Sequence, residues 1–129
     1  MTDVITIATI QVPGQQQCQG TIFPLVLQPA GEAPDLDATI NWLEGQASIL
    51  KDQAASHGAI LFRGFSLQTD RDFDRFITAF ELENFPYRKS LSNAVRINRT
   101  EHVFTANESP PEVNIYLHHE LAQTPFYPS

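Results

Sequence analysis

The residues best suited to chemistry lie near the end of the chain, in Tyr116-Leu117-His118-His119-Glu120. Read as a strand, this stretch sends alternate side chains to opposite faces. Asn114, Tyr116, His118 and Glu120 then share one face, and Ile115, Leu117, His119 and Leu121 the other. An imidazole and a carboxylate two residues apart on one face reach a single ion. With a second histidine and open coordination positions they make the two-histidine, one-carboxylate set that suits non-haem Fe(II). Spacing alone does not prove a metal. With 4 His and 15 acidic residues among 129, about 0.5 matches to H-x-[DE] arise by chance. A surface His beside a Glu at a strand end, or a His hydrogen-bonded within the sheet, fits the same letters.

Other reactive residues form no comparable set. His57 precedes Gly58 at an expected helix end, where a cation favours the dipole, so a capping role is the reading for it. His102, in E-H-V-F, falls on an exposed strand face. Cys18 sits in a polar loop with no neighbouring cation to lower its pKa, and a single cysteine excludes an internal disulfide. No Ser-His-Asp or Cys-His arrangement, zinc-type Cys/His spacing, G-x-G-x-x-G or phosphate loop occurs. The formal net charge is −7 with 8 Lys+Arg. Without a basic stripe to release counterions from a phosphate backbone, nucleic acid is excluded as an expected partner. The first residues carry Asp3 and no basic region, unlike a signal peptide, and no apolar run approaches the roughly 20 residues of a membrane span. A reducing, cytoplasmic setting and no membrane partner are expected.

Which elements would position His118 and Glu120? With 42% hydrophobic residues in 129, the chain reads as one globular unit able to bury a core. Residues 4–12 alternate β-branched with small or polar residues, a strand pattern. G-Q-Q-Q-C-Q-G reads as a polar loop bracketed by Gly14 and Gly20. T-I-F-P-L-V-L completes an N-terminal arm with strands over 1–34. From Asp35, Leu36, Ile40, Leu43, Ala47, Leu50 and Ala54 recur at intervals of three and four, one stripe of an α-helix closed by Gly58. Gly45 in its middle leaves two shorter helices as the alternative. A-I-L-F-R-G-F, apolar on both parities, predicts a strand buried on both faces. Thr69 with Asp72 three places on predicts a capping box leading a helix that buries Phe73, Phe76, Ile77 and Phe80. Beyond Pro86 a polar loop precedes three strands, V-R-I-N, V-F-T-A and V-N-I-Y-L-H-H-E.

Several of these pieces, in this order, resemble the N-terminal part of the TauD/TfdA-like Fe(II)- and 2-oxoglutarate-dependent dioxygenases, in the subgroup with Glu in the metal motif. The resemblance covers roughly residues 23–128. It rests on H-G-A-I-L-F-R-G-F from His57, the F-D-R-F-I-T-A-F helix, N-R-T-E-H-V-F-T-A-N-E-S-P-P from Asn98, and L-H-H-E-L-A-Q-T-P-F-Y-P from Leu117. It implies an α+β chain whose residues 35–129 are the N-terminal half of a double-stranded β-helix, or jelly roll, with flanking helices. It further implies Fe(II) as cofactor, 2-oxoglutarate as cosubstrate, and a small-molecule substrate that is oxidised, typically hydroxylated, with succinate and CO₂ as co-products. By the resemblance His118 and Glu120 are metal ligands, and the carboxylate of Glu120 speaks for oxygenation over halogenation. Asn114 would look toward substrate, and a solvent-facing amide is the other reading of it.

The family's second ligating His and its 2-oxoglutarate-binding Arg arrive well after H-x-[DE], beyond Ser129 in this numbering. Arg63 and Arg99 match neither position. The expectation is thus a truncated, incomplete sheet and a half-site inactive by itself. A catalytically inactive module that pairs its open sheet with another chain, or with itself through unpaired strand edges, is the alternative. The substrate-recognising residues are expected in the 86–96 loop and beyond the chain.

Overall fold

A computed structural model describes residues 5–84, 95–118 and 125. The chain separates into two compact units, Met1–Glu81 and Leu82–Ser129.

The first unit is built around a buried central strand. In order it contains β1 (Ile7–Thr9), β2 (Gln16–Cys18), β3 (Thr21–Phe23), β4 (Leu25–Pro29), α1 (Leu36–His57), β5 (Ile60–Phe62) and α2 (Asp70–Thr78). β1, β4 and β5 form one sheet in that order. β1 pairs antiparallel to β4 with Ile7 opposite Pro29, and β5 pairs parallel to it with Leu25 opposite Ile60. A parallel pair needs a long crossover, and α1 supplies it. Leu25, Val26 and Leu27 are all buried, as a strand covered on both faces requires.

Both helices begin and end where their sequence signals sit. Asp35 caps α1, its carboxylate accepting from the Ala38 N–H at 2.8 Å. Gly58 closes α1 in the left-handed region at φ 80°, which a residue without Cβ adopts freely. Gly45 does not divide the helix; all 22 residues are continuous. Leu43 and Leu50 of the expected stripe are buried, with Ile40 packed against them. Thr39 is also wholly buried, its hydroxyl donating to the Asp35 carbonyl at 2.9 Å. At α2 the capping box forms in both directions: the Thr69 hydroxyl accepts from the Asp72 N–H at 3.1 Å, and the Asp72 carboxylate accepts from the Thr69 N–H at 3.0 Å.

Aromatic rings join the helices to β5. Phe62 meets Phe76 edge to face at 5.2 Å between centroids and Phe80 at 6.0 Å, and Trp42 stacks on Phe65 at 5.9 Å. Offset and edge-on geometries of this kind favour the ring quadrupoles.

Four expectations change. The polar G-Q-Q-Q-C-Q-G segment is not simply a loop, because Gln16–Cys18 pairs as β2 with β3. Gln19 and Gly20 between them have φ of 52° and 86°, the two positive values of a type I′ hairpin turn. Turn geometry, rather than apolar alternation, sets this hairpin. Phe73 is 45% exposed and lies off the core that Phe76, Ile77 and Phe80 share. β5 is an edge strand of its sheet and Leu61 is 38% exposed, so it is not buried on both faces. The start of the chain pairs over three residues only, within the longer alternating stretch.

In the second unit, V-R-I-N and V-F-T-A do meet, through an antiparallel bridge between Asn98 and Phe104 and a Thr105 N–H to Ile97 carbonyl bond of 2.9 Å. The turn between them is held by the Thr100 hydroxyl, which accepts from the Val103 N–H at 3.0 Å. His102 therefore belongs to a turn and not to a strand face, and it is half-buried. Residues 113–118, the described part of the third expected strand, carry no strand pairing.

Candidate functional site

Of the residues singled out for metal chemistry, Asn114 and His118 lie among the described residues, both exposed. Glu120 and His119 lie outside them, as do residues 86–94 of the expected 86–96 recognition loop. Whether Asn114, His118 and Glu120 share a face is thus a matter of sequence alternation alone.

One geometric fact bears on His118. Its Nδ1 lies 2.8 Å from the backbone carbonyl oxygen of Tyr116. A carbonyl oxygen only accepts, so in the neutral ring Nδ1 carries the proton and Nε2 the lone pair. Metal-ligating histidines commonly hold one ring N–H on a carbonyl or carboxylate, which fixes the tautomer and the ring. The chemistry of this donor therefore fits a metal. Among the described residues no group of three or more His, Cys, Asp or Glu converges on one point, so His118 is a single fitting donor.

His57 is placed differently from the capping role expected of it. It does occupy the last turn of α1, but its Nδ1 lies 2.7 Å from the Ile22 carbonyl oxygen in β3. The ring ties the helix end to the hairpin, 35 residues earlier in the chain. Sequence spacing gave no signal for this contact, since nothing local pairs residues 22 and 57. Arg63 is exposed and its backbone N–H bonds to the Leu27 carbonyl at 2.9 Å, a sheet contact. Cys18 is exposed on β2.

The Asp72 carboxyl is held below the ordinary aspartate range, first by the Gln68 backbone N–H and then by the Thr69 donors, with Arg75 assisting. Arg75 also reaches from α2 to Asp37 in α1 at 2.7 Å. These groups serve helix capping and docking.

Residues 21–129 match the Taurine catabolism dioxygenase TauD, TfdA family. The chain belongs to that family. A clavaminate synthase-like protein from Arabidopsis thaliana is 32% identical over 134 residues, an alignment that takes in 100% of this chain. The chain spans 40% of the length of that relative. Proteins of this family are generally Fe(II)- and 2-oxoglutarate-dependent dioxygenases. The TauD-like match includes His118, Glu120 and the whole of β3, β4, α1, β5 and α2. Among the described residues no helix is long and apolar enough to cross a membrane.

Proposed function

We propose that this chain supplies the N-terminal half of a non-haem iron dioxygenase site, with His118 and Glu120 as two of its protein ligands. The family match that spans the H-x-E motif carries this reading, and the tautomer of His118 supports it. In this reading bound iron and 2-oxoglutarate supply the oxidising chemistry, with succinate and CO₂ as co-products. The chain's own residues hold the metal and orient substrate, Asn114 being the candidate on the substrate side. The second His, the Arg that would grip the 2-oxoglutarate carboxylate bidentately and the remaining jelly-roll strands come from further polypeptide. Coverage of only 40% of the Arabidopsis relative supports that division.

With Fe(II), 2-oxoglutarate and ascorbate, the chain alone is expected to give no substrate-linked succinate. Sustained turnover by this polypeptide would overturn the half-site reading. Titration with Co(II) tests the ligands separately, because weak binding should disappear in both His118→Ala and Glu120→Ala. Binding unchanged in both variants would remove these residues from the metal.

The edge of β5, unpaired among the described residues, and the exposed Val113, Ile115, Tyr116 and Leu117 favour a second reading, an assembly module that pairs its strands with another chain. Sedimentation across a concentration series separates the two, since a monomer at all concentrations counts against self-pairing.

A further inference from the structure

We propose that the β2–β3 hairpin is a flap that opens as a unit, and that the His57 ring is the latch holding it to the end of α1. The flap belongs to the first unit alone and is independent of the metal reading. Burial changes abruptly along the chain here. Leu25, Val26 and Leu27 of β4 are buried, whereas β2 is exposed at all three positions and β3 is half-buried at Thr21 and Ile22 and exposed at Phe23. The hairpin forms its own two-stranded sheet. A segment with so little buried apolar surface opens at a lower free energy than the core behind it.

A short row of contacts holds the hairpin down. With a two-residue turn, the flanking pair Cys18 and Thr21 exchanges backbone hydrogen bonds, so the next pair, Gln17 and Ile22, turns its backbone groups outward. The outward Ile22 carbonyl oxygen lies 2.7 Å from His57 Nδ1. A carbonyl oxygen only accepts, so the ring donates. One residue along, the Phe23 ring lies over Gly58, where a Cβ would stand 3.1 Å from Phe23 Cδ2. Next, the Ala59 carbonyl accepts from the Leu25 N–H at 3.0 Å, and that bond already extends the parallel β4–β5 ladder. The flap thus ends where the ladder begins. Gln15 pins its root: Nε2 donates to the Pro24 carbonyl at 2.8 Å, and Oε1 accepts from the Val12 N–H at 2.8 Å. Those bonds join the two ends of the hairpin to each other, so they survive when the flap lifts. The His57 bond is the polar contact among these that crosses to α1, and its release frees the hairpin while β4 stays in the sheet. Opening uncovers the Gly58 turn, so the flap governs access to the junction of α1 and β5.

Native-state amide hydrogen exchange of the whole chain, read residue by residue by NMR, tests this. The Cys18 and Thr21 amides should open together, with protection about 10-fold or more below that of Leu43 and Leu50 in α1. Urea below the unfolding transition should accelerate exchange at Leu50 and leave the hairpin amides nearly unchanged, because lifting the flap exposes little new surface. Hairpin amides with the protection and urea dependence of Leu50 overturn the flap, and this measurement needs no substitution. His57→Phe keeps a ring without the donor and should lower hairpin protection about 2- to 10-fold, the worth of one net hydrogen bond. His57→Asn, whose side-chain amide sets a donor near the Nδ1 position, should retain most of it. Protection unchanged in His57→Phe, or lost equally in both variants, overturns the latch.

Discussion

Adding one methyl group to Gly58 and one to Gly45 should move stability in opposite directions, although both residues belong to the same helical segment. At Gly58 the backbone sits at φ 80°, and a Cβ would lie 3.1 Å from Phe23 Cδ2 and 3.2 Å from Cε2. Placing an L side chain in the left-handed region costs about 1–2 kcal/mol. The Phe23 contact adds less, because that ring is 42% exposed and has room to yield. Gly58→Ala should therefore lose about 1–2 kcal/mol. At Gly45 an added Cβ meets nothing within 4 Å, and Ala gains about 1 kcal/mol over Gly in a helix interior. Urea unfolding followed by far-ultraviolet circular dichroism measures both. A change of 1 kcal/mol corresponds to about 4–8 °C in Tm for a unit of this size, so a difference of about 2–3 kcal/mol should separate the variants by roughly 10–20 °C in thermal melts. A neutral or stabilising Gly58→Ala, with an unchanged dependence on urea, would refute the αL cap as a source of stability.

Other outcomes follow from the same contacts. Leu43→Ala, at a fully buried α1 position, should cost about 2–5 kcal/mol in equilibrium unfolding. Thr69→Ala removes the hydroxyl that accepts from Asp72 and should cost about 1 kcal/mol by urea titration. The folded-state pKa of Asp72 is depressed, so its contribution is present above the unfolded aspartate value and is lost as pH falls through the folded one. Unfolding curves between pH 6 and pH 2 should show that loss, and Asp72→Asn should flatten it. Removing the exposed Arg75–Asp37 pair by Arg75→Met should cost no more than about 1 kcal/mol, and less in high salt.

Local rules were enough for the helices. Asp35, Gly58, Thr69 and Asp72 mark their ends because capping involves atoms only a few residues apart, and the three-four spacing of Leu43 and Leu50 records which face meets the sheet. The family was legible for a similar reason, since its motifs are short runs in a fixed order. The hairpin was less visible. β2 is polar and exposed throughout, so its pairing depends on the positive φ of Gln19 and Gly20 and leaves no hydrophobic alternation.

Burial depended on the topology. Leu25–Leu27 and Ile60–Phe62 are equally apolar in sequence, yet β4 is central and β5 is at an edge. Composition cannot report which strand has neighbours on both sides. Nor can it report that His57 spans to Ile22, because that contact exists only after α1 has folded back along the sheet. At the candidate site the division is sharper. Sequence alone supplied the residue types and spacing of His118 and Glu120, which coordination chemistry and the family motif make meaningful. What the sequence left out was the backbone conformation that sets the Tyr116 carbonyl oxygen 2.8 Å from His118 Nδ1, because residue types do not fix where a local carbonyl points.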